Sequence, residues 1–71
     1  MTYSEAKNEL KQYAKELKRA YKNDKPAQRE ALNDYCDLMM MLLAQPRNGY
    51  SEAKLYQYET WLTNLTCKLH P

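Results

Sequence analysis

Six lysines near the start of the chain have a spacing that could contact an acidic partner. They recur every three or four residues, which keeps them on one face of a helix, opposite its apolar side; this lysine stripe consists of Lys7, Lys11, Lys15, Lys18, Lys22 and Lys25. Ammonium groups about 6 Å apart could follow the phosphates of a nucleic acid or an acidic protein face. The stripe has no interleaved aromatic residues and no set of arginines that could read bases, so any contact with nucleic acid would be independent of its sequence. The alternative interpretation is a solvated face that binds nothing.

A second candidate lies in the apolar run Leu38–Ala44. Met40 and Met41 fall outside the expected core rows, on a face that carries Asp34 and Asp37 one or two turns earlier. An apolar patch bounded by polar residues is typical of an association surface, and methionine adapts to irregular partners. We therefore predict self-association through these two methionines. The alternative is that neighbouring helices cover this end of the run more fully.

Tyrosine is the third candidate, because the chain contains seven tyrosines and no phenylalanine. A tyrosine ring packs among apolar groups while its hydroxyl reaches water or a partner, and such rings often anchor interfaces. Tyr3 and Tyr50 each open a predicted helix with the sequence Tyr-Ser-Glu-Ala-Lys, and we expect both at the end of the molecule that holds the methionines. Tyr56 is expected to be the most exposed ring, with a flanking core position as the alternative.

Metal binding and catalysis have little support in the sequence. Cys36, Cys67 and His70 are the soft metal ligands, and a structural zinc site needs four such groups. A catalytic set needs a histidine or a converging pair of carboxylates in a cleft, whereas the single histidine is next to the last residue. We predict no enzymatic activity, no metal and no cofactor.

The elements that must position these residues are predicted to be helices. The chain has one glycine and no valine or isoleucine, a composition typical of an all-α protein. Thr2 and Glu5 form a capping box, and prolines together with Asn48-Gly49 interrupt the apolar periodicity. We predict helix 1 over about residues 3–22, helix 2 over about 25–45 and helix 3 over about 51–69, within one domain spanning residues 1–71.

Apolar residues recur at helical spacing in all three segments. Helix 1 has one row, helix 3 has one row, and helix 2 has two adjacent rows, as a helix packed between two neighbours requires. The rows are Tyr3, Ala6, Leu10, Tyr13, Leu17 and Ala20; then Ala31, Tyr35, Leu38 and Leu42 beside Leu32, Cys36, Met39 and Leu43; and finally Leu55, Tyr58, Leu62, Leu65 and Leu69. Matched lengths and short connections favour a small antiparallel three-helix bundle, running up-down-up.

Size and charge constrain the partners. A chain of 71 residues buries only roughly 60% of its unfolded surface, so dimerisation would supply stability that a single core lacks. The net charge of +2 is too small to indicate a nucleic-acid binder by itself. No signal peptide or membrane-spanning run is expected, and two cysteines without a secretory signal are typical of free thiols in a reducing, cytoplasmic setting.

Two functional hypotheses follow. The first is a non-enzymatic protein–protein interaction or regulatory module, a homodimer that acts on a host or partner protein, as small accessory proteins of phages and other mobile elements do. The second is a nucleic-acid-associated protein that uses the lysine stripe without sequence preference.

Overall fold

Three α-helices make up nearly all of the protein in the computed structural model, which describes residues 1–69. Helix α1 spans Tyr3–Ala20, α2 spans Lys25–Leu43 and α3 spans Glu52–Leu69, with a 3₁₀ turn at Pro46–Asn48. Each helix contacts the other two, and the molecule measures 40 × 17 × 15 Å. The prediction of an all-α protein is confirmed, since no strand occurs within the described residues.

Side chains cap the start of every helix. The predicted capping box is confirmed: the Glu5 amide donates to Thr2 Oγ1 at 3.2 Å, and the Thr2 amide donates to Glu5 Oε1 at 3.4 Å. The Ala27 amide donates to Asp24 Oδ1 at the start of α2, and the Lys54 amide donates to Ser51 Oγ at the start of α3, each at 3.2 Å. These short polar side chains satisfy backbone donors that have no partner within the helix.

Helices α1 and α2 each end two residues before the predicted boundary. The Tyr21 amide still donates to the Leu17 carbonyl, but the backbone of Tyr21 has left the helical region. The buried side chain of Gln28 then donates to the Tyr21 carbonyl and fastens the α1–α2 connection to α2. The Gln28 side chain thus supplies the donor that a further turn of α1 would have provided for the Tyr21 carbonyl.

The core lies where the apolar rows of the three helices meet. Its buried apolar residues are Ala6, Leu10, Ala14, Leu17, Leu32, Cys36, Met39, Leu43, Tyr58 and Leu62. The Leu32 row of α2 is therefore buried as expected. The other row of α2 is covered only in part, because Leu38 is 44% exposed, and Ala20 at the end of the α1 row is exposed. Both positions were expected in the core, and both are exposed.

Buried polar groups in this core are hydrogen-bonded. The hydroxyl of Thr66 donates to the Leu62 carbonyl at 2.8 Å, and no buried side-chain nitrogen or oxygen among residues 1–69 is left without a partner. None of the helices described combines the length and apolar character that a membrane span requires.

Candidate functional site

The three consecutive methionines have three different environments. Met39 is buried, Met40 is half-buried against the core, and Met41 is 70% exposed. The side of α2 that bears Met40 faces α3, since Asn33, two turns earlier on that side, lines a groove with Thr66 of α3. Coverage by a neighbouring helix thus accounts for Met40, while Met41 points away from the core.

Leu38 accompanies Met41 on the outer face of α2. The two residues are three positions apart, so their side chains are neighbours on the helix surface. Asp34 and Asp37, both exposed, precede them on the same outward side. We call the pair Leu38 and Met41 the α2 patch. It is a small apolar area bordered by carboxylates at one end.

Tyr3 and Tyr50 meet on the buried ring of Tyr58. Tyr3 stacks on Tyr58 with ring centroids 4.6 Å apart, and Tyr50 meets the same ring edge-on at 5.0 Å. Desolvation raises the pKa of the Tyr3 and Tyr58 hydroxyls, and the nearby Tyr50 raises that of Tyr58 further. Tyr3 and Tyr50, which the sequence predicts at an interface, therefore have rings that are partly covered by contacts within the chain.

Tyr56 lies apart from that aromatic cluster. Its side chain is 72% exposed, as the sequence predicts, and it stands in the second turn of α3. Met41 occupies the last turn of α2, so a short connection separates the two exposed side chains. An anchor residue for a partner would be accessible at this position.

The lysine stripe is not one helix face. Lys7, Lys11, Lys15 and Lys18 lie on α1, but Lys22 falls in the connection and Lys25 begins α2. Two of the four lysines on α1 also do not lie opposite the core. Lys7 is half-buried beside α3, and Lys18 lies next to Leu69 of α3. Lys7 and Lys18 therefore border the junction between α1 and α3.

Carboxylates occupy the other flank of α1. Glu9 accepts a hydrogen bond from the Tyr35 hydroxyl of α2 at 3.4 Å, and Glu5 and Glu16 share its side of the helix. Tyr35 also stacks on Tyr13 of α1, with centroids 4.1 Å apart. Helix α1 thus presents Lys7 and Lys18 toward α3 and its glutamates toward α2.

A groove between α1 and α3 collects basic and aromatic side chains. This basic groove has a volume of about 280 Å³ and is lined by Tyr3, Lys7, Trp61, Asn64, Leu65 and Lys68. Trp61 is 46% exposed. The Lys54 ammonium lies above the Tyr58 and Trp61 rings, 5.4 Å and 5.9 Å from their centroids, within cation–π range.

The α3 side of this groove is not among the sites predicted from the sequence. Lys54, Trp61 and Lys68 recur every seven residues, a spacing that places them on one stripe of α3. That spacing was the available signal. The meeting of this stripe with Lys7 could not be inferred from it, because the two segments are far apart in the chain.

The cysteines have contrasting surroundings. Cys36 is buried and Cys67 is exposed, and both carry free thiols. Burial raises the pKa of the Cys36 thiol, an effect that a hydrogen bond with Thr66 partly offsets. Among residues 1–69, no three histidine, cysteine, aspartate or glutamate side chains converge in a way that could hold a metal ion. His70, which the sequence pairs with Cys67, lies outside the described residues.

No protein-family model, curated protein or solved structure matches this chain. The residues themselves define two surfaces: the α2 patch with its acidic border, and the basic groove between α1 and α3.

Proposed function

We propose that this protein is a non-enzymatic association module whose first partner is a second copy of the same chain. The carrying observation is the 70% exposure of Met41 beside the half-exposed Leu38 on the outer face of α2. Burial of large apolar side chains such as these by a partner is favourable, because it removes apolar surface from water. Dimerisation would cover the outer face of α2 and leave other surfaces exposed. Such a module would regulate a protein partner by making one of these surfaces available or unavailable to it.

An up-down-up bundle of helices forms part of this proposal. The amino group of Met1 donates to Asn48 Oδ1 at 3.3 Å, so the start of α1 lies beside the connection that follows α2. Tyr3 of α1 meets Tyr58 near the start of α3. These contacts support α1 and α3 running in the same direction with α2 opposed. The arrangement leaves one long face of α2 without a neighbouring helix.

The charges on α2 favour an antiparallel pairing of the two copies. In a parallel pair, Asp34 and Asp37 would each face their own counterparts, and like charges in contact destabilise an interface. In an antiparallel pair centred on the α2 patch, Leu38 of one copy faces Met41 of the other. Asp34 of each copy then approaches the 3₁₀ turn with Arg47 of the second copy. This isologous arrangement is closed by a two-fold axis.

The expected dimer is weak and reversible. Stable interfaces bury about 800 Å² on each partner, far more than two side chains can supply. Tyr56 can add to the contact, since it stands near the same end of the molecule and is 72% exposed. Association should therefore become visible only as the protein concentration rises.

Sedimentation velocity over a concentration series tests the proposal. The double variant Leu38→Asp, Met41→Asp should remain monomeric while retaining its helical circular dichroism. The pair Asn23→Asp, Asn33→Asp is the matched control, because it adds two carboxylates at exposed positions without removing an apolar side chain. A wild-type chain that stays monomeric at high micromolar concentration would overturn the proposal.

A further inference from the structure

The basic groove between α1 and α3 combines three kinds of group that a nucleotide would use. Lys7 and Lys68 supply positive charge from opposite walls, Trp61 supplies a half-exposed ring, and Asn64 supplies an amide. Its volume of about 280 Å³ is close to the lower end, roughly 300 Å³, of the range for small-ligand sites. We propose that this groove binds single-stranded nucleic acid, with one base stacked on Trp61 and neighbouring phosphates held by lysines.

Among the described residues, the charged side chains that line the groove are lysines. Lys54 lies above the Trp61 ring, and Lys11 follows Lys7 by one helical turn on the same flank of α1. Glu9 of α1 and Glu59 of α3 lie on the flanks toward α2: Glu9 accepts a hydrogen bond from Tyr35 there, and the charge of Glu59 raises the pKa of the buried Cys36. The surface around the groove is therefore locally cationic although the net charge of the protein is small. Such a surface attracts a polyanion electrostatically.

The ring of Trp61 selects single strands over duplexes. Single-strand binding proteins combine a cationic groove with aromatic rings on which unpaired bases stack. In a duplex the base faces are already stacked, so Trp61 could reach one only by prying two base pairs apart. An acidic peptide would match the lysines but would find little apolar surface, because among the described residues Leu65 is the sole aliphatic side chain that lines the groove, and it is half-buried. An apolar side chain of a bound peptide would therefore bury little surface in the groove.

This activity is independent of the proposed dimer. The α2 patch lies on the outer face of α2, whereas the groove lies between the other two helices. A variant that abolishes one should leave the other unchanged.

The single tryptophan makes the test site-specific. Titration of the protein with a short oligothymidylate at low salt should quench the fluorescence of Trp61, because a stacked base lies against the emitting ring. Affinity should fall with added salt, with a logarithmic slope of about 0.7 for each phosphate engaged. The same strand annealed to its complement should bind at least several-fold more weakly.

Variants separate stacking from charge. In a binding assay with a labelled oligothymidylate, Trp61→Ala should weaken binding about tenfold, within the range for loss of one base stack. The pair Lys7→Gln, Lys68→Gln should weaken it and lower the salt slope. The matched control is Arg29→Gln with Arg47→Gln, which removes the same charge from exposed positions outside the groove and should have a much smaller effect.

Three outcomes would overturn the inference. The first is the absence of fluorescence change and of binding at low salt. The second is equal binding of single strand and duplex that is insensitive to Trp61→Ala, which would indicate a diffuse charge effect. The third is a polyglutamate of matched charge that quenches Trp61 and binds as tightly as the oligonucleotide, which would assign the groove to an acidic protein partner.

Discussion

Asn48 shows how much one side chain in a connection can organise. Its amide nitrogen donates to the carbonyls of Leu42 and Leu43 at 2.7 Å and 3.1 Å, while its amide oxygen accepts from the amino group of Met1. The last carbonyls of a helix have no partner within the helix, so a donor at this position completes α2. The same residue holds the start of the chain against that end.

We predict that Asn48→Ala lowers the free energy of unfolding by about 1–2 kcal/mol, because half-buried carbonyls lose their donors. Urea denaturation followed by circular dichroism measures this change. Arg47→Ala is the control, since Arg47 occupies the same 3₁₀ turn with an exposed side chain, and its effect should stay within about 0.5 kcal/mol. Equal stability of the two variants would show that the contacts of Asn48 contribute little.

Adjacent residues on α2 can differ entirely in environment. Met40 and Met41 are chemically identical and both lie outside the predicted core rows, yet Met40 packs against the core and Met41 does not. The difference arises because successive residues point about 100° apart and α3 covers one of those directions. A surface assigned from composition alone would include both methionines and miss Leu38.

At the scale of the element, the connection between α2 and α3 depends on one glycine. Gly49 has φ = +70°, the left-handed region that side chains with a Cβ disfavour. Its amide donates to the Pro46 carbonyl at 3.1 Å and closes the 3₁₀ turn. A Cβ at this position would meet no atom within 4 Å, so a substitution there changes backbone energetics without a steric clash.

Gly49→Ala should therefore destabilise the protein by about 1–2 kcal/mol, the cost of a left-handed conformation for an L-residue. Gly49→Asn should cost less, because asparagine adopts this conformation more readily than alanine. Thermal and urea unfolding of the two variants provides the comparison. If asparagine were as harmful as alanine, the backbone explanation would fail; if both were neutral, the turn would not require a left-handed residue.

Helix α1 has a different property, a division of charge between its two flanks. Its glutamates lie toward α2, where Tyr35 reaches Glu9, and Lys7 and Lys18 lie toward α3. Neither flank is the apolar side that forms the core. This division explains why a row of lysines identified on one helix becomes part of a groove shared by two.

Over the whole molecule, tyrosine hydroxyls and a thiol link stability to pH. Desolvation raises the pKa of Tyr3, Tyr35 and Tyr58, the negative charge of Glu9 raises that of Tyr35 further, and burial raises the pKa of Cys36. Each of these groups is neutral in the folded protein and ionises more easily after unfolding. Their contribution is fully present below about pH 8.5, the ordinary value of a thiol, and is lost as pH rises through the raised values.

We therefore expect the free energy of unfolding to be constant near neutral pH and to fall as the pH rises above about 8.5. Urea denaturation at several pH values and constant ionic strength measures the decline. Tyr35→Phe retains the ring that stacks on Tyr13 but removes a titrating hydroxyl, so its stability should decline less steeply than that of the wild type. A pH-independent free energy of unfolding over this range would contradict the expectation.

Local sequence accounts for the helices, their caps and the best-buried row of α2. Helical hydrogen bonds join residues four apart, capping groups act within three residues, and apolar periodicity marks the inward side, so Thr2, Glu5 and the Leu32 row are predictable from neighbours in the chain. The exposure of Tyr56 also follows from its position off the apolar row.

Only the tertiary structure decides which partly apolar positions are covered and which distant side chains meet. Met40 is covered while Leu38 is not, because that outcome depends on where α1 and α3 lie against α2. Lys7 and Trp61 meet because the flank of α1 that carries its lysines faces the α3 stripe of Lys54, Trp61 and Lys68. Periodicity specifies the inward side of each helix alone, whereas the rotation and neighbours of that helix are set by packing among all three.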